Sequence, residues 1–183
     1  MNAELYRNRK GWFSINVHVV CNARLEIMEV ISRWPGSVHD STIFQNSEVR
    51  IDFEQRRRYP GCFLLGDRGY ACNSYLLTPL TNPQTPAERK YNKSHIKTRN
   101  TVERCFGVWK SRFPCLQYVL RNKVERSVVV ITAAAVLHNI AVQRNLPEFE
   151  IGEVPQNEII IEGPHNGRDI TAVRAALIDT VFR

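Results

Sequence analysis

The chain has 183 residues, of which 43% are apolar, and a formal net charge of +7 at pH 7, so composition predicts one globular domain with a sizeable core. No run of about 18 or more uncharged apolar residues is present, and the N-terminus lacks an apolar signal-peptide core, which argues against a membrane protein. Five cysteines without a CxxC pair argue against a disulfide framework or a zinc ribbon.

The positive charge is concentrated in one part of the chain. Residues 1–145 contain 22 Lys/Arg and 11 Asp/Glu, whereas residues 146–183 contain 3 and 7. A basic body favours nucleic acid or another polyanion as a partner, although a generic soluble basic domain has the same composition. We therefore predict a domain over residues 1–145, followed by an acidic tail with a short C-terminal helix over residues 146–183.

The first elements in chain order are β-strands and a short helix. Residues 11–21 alternate between apolar and polar side chains, which is typical of a half-buried strand, and a β-rich run at 24–32 completes a hairpin. Trp34-Pro35-Gly36-Ser37 is expected to break regular structure. A helix follows from Asp40 to about Glu48, with Asp40 or Ser41 as its N-cap.

The remaining elements are mostly helical. In order, the sequence predicts a strand at 62–65, a brief helix or turn at 73–77, a proline-punctuated loop at 78–88, and helices at 87–113, 124–144 and 171–182. This order predicts a mixed α/β fold in which helices flank a sheet. A hairpin before a strand–helix alternation fits a ribonuclease-H-like sheet, with fewer strands than a closed version of that sheet needs.

Asp67 is the first candidate for chemistry, because it follows the apolar strand at 62–65. Folds of the α/β class place ligands at the carboxyl ends of their strands. Gly66 and Gly69 on either side allow close backbone approach. The alternative is a turn aspartate in Gly-Asp-Arg-Gly, since Asp and Gly are ordinary turn residues.

Glu103 is the second candidate, and 35 residues separate it from Asp67. Spacings of four put His95, Arg99 and Glu103 on one face of the predicted helix. The alternative is an exposed glutamate that pairs with Arg99 or Lys110. A carboxylate at a strand exit and one on a later helix can together hold the ions that clamp a phosphodiester.

Asp40 allows two interpretations, whereas His138 has one simple structural interpretation. Asp40 is either a helix N-cap or a further carboxylate near the ions. Carboxylate oxygens suit Mg²⁺ or Mn²⁺, whereas the Cys and His spacing offers no zinc site. His138 lies in the apolar helix at 124–144, where a buried, hydrogen-bonded histidine is the simplest interpretation.

Seven motifs within roughly residues 8–145 are specific when they are taken together. They are Gly11-Trp12-Phe13-Ser14-Ile15-Asn16, Trp34-Pro35-Gly36-Ser37-Val38-His39-Asp40-Ser41, Leu65-Gly66-Asp67-Arg68-Gly69-Tyr70, Leu77-Thr78-Pro79, Tyr91-Asn92-Lys93-Ser94-His95, Thr98-Arg99-Asn100-Thr101-Val102-Glu103-Arg104-Cys105-Phe106-Gly107-Val108-Trp109-Lys110 and Leu137-His138-Asn139-Ile140. With these motifs the chain resembles the Harbinger transposase-derived nucleases, within the DDE-superfamily endonucleases of the PIF/Harbinger and IS5 type.

The resemblance implies a ribonuclease-H-like fold and a divalent-metal-dependent endonuclease that hydrolyses phosphodiester bonds in DNA. Asp67 and Glu103 match catalytic positions, and Asp40 matches a further metal-binding position. The implied metal ligands are therefore Asp40, Asp67 and Glu103, with Mg²⁺ or Mn²⁺ as the cofactor. The family's first catalytic Asp lies on a strand upstream of Trp12. No Asp precedes Asp40 in this sequence, so we expect an N-terminally incomplete fold that lacks this strand.

The other expectations concern partners and location. DNA is the expected partner, with Arg99, Arg104 and Lys110 on its phosphates, together with a protein that supplies further DNA binding. The expected location is the nucleus, with the cytoplasm as a second site, and the oligomeric state is left open. Because the first catalytic Asp is absent, the alternative function is that of a domesticated, non-catalytic DNA-binding or adaptor protein.

Overall fold

The computed structural model describes residues 3–8, 11–118, 120, 122–147 and 172–182. These residues form a mixed α/β fold, as predicted. The elements in chain order are a 3₁₀ turn (Ala3–Tyr6), β1 (Ile15–Cys21), β2 (Ile27–Pro35), α1 (Asp40–Gln45), α2 (Glu48–Glu54), β3 (Leu64–Leu65), β4 (Leu76–Leu77), α3 (Pro86–Arg112), a 3₁₀ turn (Pro114–Leu116), α4 (Val124–Gln143) and α5 (Ala172–Val181). Within the described residues the strands form two two-stranded sheets, and the ribonuclease-H-like arrangement stays a prediction.

The chain divides into two compact units. The first comprises residues 1–47 and 101–157, and the second comprises residues 48–100 and 158–183. The continuous helix α3 contributes its N-terminal part to the second unit and its C-terminal part to the first. The division into residues 1–145 and 146–183 stays a prediction.

In the first unit, β1 and β2 form the predicted antiparallel hairpin, with a longer turn than expected. The side-chain oxygen of Asn22 accepts the backbone N–H groups of Arg24 and Glu26, and this delays the second strand until Ile27. The predicted break at Trp34-Pro35 is wrong, because both residues still pair with β1. The second strand of the hairpin therefore begins and ends several residues later than the sequence pattern indicated.

Helix α4 is attached to the hairpin turn by two consecutive polar side chains. The fully buried His138 makes a 2.8 Å hydrogen bond from Nε2 to the carbonyl of Leu25, whose φ of 66° lies in the left-handed region. Asn139 accepts the N–H of Ile27 at 2.7 Å and donates to its carbonyl at 2.8 Å. The interpretation of His138 as a buried, hydrogen-bonded histidine is confirmed.

The core of the first unit lies between the hairpin, the C-terminal part of α3 and α4. By length and composition α4 could cross a membrane, and 33% of that stretch is buried inside the structure. Its buried face packs on β2. One face of α4 therefore belongs to the core, and the opposite face is exposed. The buried core residues are Leu25, Ile27, Cys105, Val108, Trp109, Ile131, Ala134 and Ala135.

In the second unit, β3 and β4 pair in parallel, with Leu64 opposite Leu76 and Leu65 opposite Leu77. The prediction of a brief helix or turn at 73–77 is wrong for its last two residues. The side-chain oxygen of Asn73 accepts the backbone N–H of Leu76, which turns the chain and leaves Leu76–Leu77 extended against β3. This sheet supports the loop that follows β3.

The C-terminal helix α5 forms as predicted and packs within the second unit. The buried Arg174 donates a 3.1 Å hydrogen bond to the carbonyl of Thr78, next to β4. The ring of Phe182 meets the ring of Tyr91 edge-on, with centroids 5.7 Å apart. Asp169 and Thr171, whose side chains suit a helix N-cap, lie outside the described residues.

Candidate functional site

Asp67 lies two residues after β3, in a tight turn. The backbone N–H of buried Gly66 donates to the carbonyl of Leu77 at 2.9 Å, which continues the pairing beyond the strand. A Cβ at Gly66 would lie 3.0 Å from the ring of Tyr70, so a side chain there would force a neighbour to move. The N–H of Gly69 donates to Oδ1 of Asp67 at 2.8 Å. The turn interpretation of Asp67 is confirmed, and the same turn fixes the direction of its carboxylate.

Arg99 of α3 is an ionic partner of Asp67. Its Nη2 lies 3.7 Å from Oδ2 of Asp67, and the two side chains are 29% and 36% exposed. One turn earlier on α3, Nε2 of His95 makes a 3.0 Å hydrogen bond with the carbonyl of Leu77 in β4. Two successive turns of the helix are thereby fixed against the strand ends, and the basic end of Arg99 lies beside the candidate catalytic acid.

His95 is buried among groups that oppose its protonation. Burial lowers the pKa of His95 most, and the positive charges of Arg99 and Arg174 lower it further, while the hydrogen bond with Leu77 acts in the opposite direction. In the neutral ring, Nε2–H donates to that carbonyl. His95 therefore holds α3 against β4 as an uncharged hydrogen-bond donor.

Glu103 lies one turn beyond Arg99 on α3 and is exposed. Because α3 is continuous from Pro86 to Arg112, the predicted common face of His95, Arg99 and Glu103 is present. Arg104 and Lys110 are also exposed on this helix. Glu103 belongs to the first unit, as Asp40 does, and Asp67 belongs to the second.

Asp40 is the first residue of α1 and not its cap. His39 occupies the N-cap position without a capping hydrogen bond, so the prediction of Asp40 or Ser41 as the N-cap is wrong. The amide of Asn16 in β1 instead donates to Oδ1 of Asp40 at 2.7 Å and to the carbonyl of Val38 at 2.8 Å. Asn16 is therefore a positioning residue that the sequence reasoning missed. The available signal was an amide on the polar side of an alternating strand.

A second polar residue of β1, His18, is buried close to Asp40. Burial lowers the pKa of His18, and the negative charge of Asp40 partly offsets that effect. The Nδ1 atom of His18 lies 3.9 Å from a carboxylate oxygen of Glu29. The surroundings of Asp40 thus combine an amide donor with a buried imidazole.

The donor chemistry of the three acids suits a hard divalent cation, because carboxylate oxygens are the side-chain ligands that Mg²⁺ prefers. The neighbouring groups fix the direction of two of these carboxylates, through Asn16 for Asp40 and through Gly69 for Asp67. In the part of the chain that the structure describes, no three His, Cys, Asp or Glu side chains are grouped so that they could hold a metal ion. A site shared by Asp40, Asp67 and Glu103 stays a prediction.

The comparisons with known proteins agree on one family. Residues 1–139 match the family described as DDE superfamily endonuclease. The chain is similar to the human protein named "Putative nuclease HARBI1", with 38% identity over 144 residues, which is 77% of this chain and 41% of the human protein. The Xenopus laevis protein of that name is 32% identical over 144 residues, which is again 77% of this chain and 41% of that protein.

A plant protein also matches. "Protein ALP1-like" of Arabidopsis thaliana is 25% identical over 147 residues, which is 71% of this chain and 36% of the plant protein. The chain spans about two fifths of the length of the curated relatives that it matches. No solved structure matches. The resemblance predicted from the sequence motifs is confirmed.

Proposed function

Because the chain belongs to the DDE superfamily endonucleases, we propose that it acts as a divalent-metal-dependent nuclease that hydrolyses phosphodiester bonds in DNA. Endonucleases of this superfamily generally use divalent metal ions. The observation that carries the proposal is the oriented carboxylate of Asp67 at a strand exit, with the guanidinium of Arg99 3.7 Å away. The comparisons do not favour the alternative of a non-catalytic adaptor.

We assign Asp67 and Glu103 as the catalytic acids and Asp40 as a further ligand, with Mg²⁺ or Mn²⁺ as the metal. A divalent cation at these acids supplies electrostatic stabilisation of the charge that develops on the phosphate oxygens. Asn16 holds the carboxylate of Asp40 in one direction. Arg99, beside Asp67, can contact a phosphate oxygen of the bound strand through its planar N–H groups.

DNA as the substrate is supported by the charge on α3. Four of its exposed basic residues recur at spacings of three, four and seven and therefore lie along one face of the helix, away from the face of Arg99 and Glu103. Such a row suits the regularly spaced phosphates of a nucleic acid strand. The residues of the row are Lys90, Lys93, Lys97 and Arg104. Lys110 adds a charge near the end of the helix. The same proposal includes a protein partner that supplies further DNA binding. It also includes a nuclear location for the chain.

Cleavage of an end-labelled duplex in Mg²⁺, in Mn²⁺ and in a chelator tests the proposal, with Asp67→Asn as the variant. Asparagine keeps the oxygen that accepts the N–H of Gly69 but loses the charge, so we expect at least ~100-fold slower cleavage by a folded protein. Asp179→Asn, on the exposed surface of α5, is the matched control and should cleave like the native chain. Mn²⁺ binding followed by electron paramagnetic resonance gives a second readout, and we expect weaker binding for Asp67→Asn alone. If both variants cleave equally fast, Asp67 has no catalytic role.

A further inference from the structure

The outward face of α4 carries an uninterrupted apolar stripe. Val129, Ala133, Val136 and Ile140 follow one another at spacings of four, three and four, which places them on one straight line along the helix. Val129 is 66% exposed, Val136 is 56% exposed and Ile140 is 38% exposed, and Leu137 beside them is 52% exposed. The buried residues Ile131, Ala134, Ala135, His138 and Ala141 lie on the opposite side of the helix. A stable helix rarely presents such a row to water without a partner.

A charged residue lies at each end of this stripe, and the two charges have opposite signs. Glu125 lies four residues before Val129 and Arg144 lies four residues after Ile140, so both continue the same line. Glu125 and Arg144 are exposed. The stripe is therefore acidic at its N-terminal end, apolar along its centre and basic at its C-terminal end.

The stripe is complementary to itself. Glu125 and Arg144, Val129 and Ile140, and Ala133 and Val136 are three pairs that share one midpoint, between Ala134 and Ala135. A second helix that runs antiparallel across a two-fold axis at this midpoint places each residue opposite its pair mate. Such a contact buries Val129 against Ile140 and pairs Glu125 with Arg144 at both ends. Self-complementary patches of this kind are the requirement for a closed two-fold dimer.

We propose that the α4 stripe is the interface between two copies of this chain, packed as an antiparallel helix pair. Ala133 near the centre lets the two helices approach closely, and the alternation of three- and four-residue spacings is the pattern of a helix–helix seam. A shallow depression lined by Asn122, Glu125, Arg126, Val129 and Val130 lies at one end of the stripe and receives the side chains near Ile140 of the second copy. The charged ends oppose insertion of this helix into a membrane.

Sedimentation velocity between about 1 and 100 μM measures the association, because one short helix seam is expected to give a micromolar, reversible dimer. Val136→Glu places a charge in the centre of the seam, so the dissociation constant of the dimer should rise at least about tenfold and the chain should sediment as a monomer at the lower concentrations. Met28→Glu changes an exposed apolar residue of the hairpin and should dimerise like the native chain. Circular dichroism should show equal helix content in all three proteins.

Reversal of the end charges separates this arrangement from non-specific association. Glu125→Arg and Arg144→Glu should each weaken the dimer about fivefold, since each disrupts both symmetric ion pairs. The double variant recreates the pairs with opposite signs and should return to within about twofold of the native dimer constant. A native chain that stays monomeric at about 100 μM overturns the proposal. So does a dimer that is insensitive to Val136→Glu, or flotation of the native chain with phosphatidylcholine vesicles that Val136→Glu abolishes.

Discussion

Asp67 and Arg99 form an ion pair that joins the loop after β3 to the side of α3, with 3.7 Å between Oδ2 and Nη2. The turn at Gly69 fixes the acid, and the hydrogen bond of His95 with Leu77 fixes the helix one turn away. The pair is partly exposed, so it contributes less than about 1 kcal/mol to the free energy of unfolding. Its importance lies in placing a positive charge beside the acid that we assign to catalysis.

Arg99→Gln tests this placement. Loss of the guanidinium should lower the cleavage rate about tenfold or more, because a phosphate contact next to the reacting group is removed. The unfolding midpoint should change little, since the ion pair is partly exposed. Arg99→Lys keeps the charge without the planar guanidinium. Its cleavage rate should therefore lie between the rates of the native chain and of Arg99→Gln. Equal cleavage rates for the native chain and Arg99→Gln would contradict the assignment of Arg99 to the phosphate.

Asn16→Ala removes the amide that holds Asp40. We expect about tenfold slower cleavage, because the carboxylate loses its fixed direction, and a destabilisation of about 1 kcal/mol from the lost hydrogen bonds. The matched control is Asn46→Ala, because the amide of Asn46 bonds to the nearby carbonyl of Thr42 in the same helix. Comparison of cleavage rates and urea unfolding for the two variants checks the prediction. An Asn16→Ala protein with normal activity would show that Asp40 needs no support from β1.

Asn139→Ala should destabilise the first unit. The substitution leaves both the N–H and the carbonyl of Ile27 without the side-chain partner that they have now, and two such losses cost about 2–4 kcal/mol. Thr132→Ala on the exposed face of the same helix should change the free energy of unfolding by less than about 0.5 kcal/mol. Urea denaturation of the two variants measures the difference, and similar midpoints would mean that the bonds to the hairpin turn add nothing.

Stability should fall as the pH drops through the normal titration range of histidine. Burial and two arginines hold the pKa of His95 below its usual value of 6.5, so the unfolded chain binds the proton more readily than the folded one. The contribution of this neutral histidine is fully present above about pH 6.5 and is lost progressively as the pH falls below that value. His95→Gln keeps a donor for Leu77 without this titration, and its unfolding free energy should depend less steeply on pH over that window. An unchanged slope would mean that His95 titrates alike in the folded and unfolded chain.

The sequence predicted the long helices well, because α3 carries apolar residues at spacings of three and four and α4 contains a mostly apolar run from Val128 to Ile140. It failed for Leu76–Leu77, since a two-residue strand has no periodicity and exists only because Leu64–Leu65 lie beside it. The motifs identified the acidic residues. The first motif contains Asn16 but did not reveal its role, because that role depends on a contact with Asp40 across 24 positions of the chain. Such a contact is a property of the folded hairpin and helix α1 together, and local spacing does not contain it.

The most direct test of the nuclease assignment is the nicking of supercoiled plasmid by the purified chain in Mn²⁺, beside Glu103→Gln and Glu54→Gln. Glu103 is exposed on α3, so its amide variant should fold normally, and Glu54 is a surface glutamate that pairs with Arg50. We predict nicking by the native chain and by Glu54→Gln, and at least ~100-fold less by Glu103→Gln. A folded native chain that leaves the plasmid intact, or a Glu103→Gln protein that nicks at the native rate, would contradict the account.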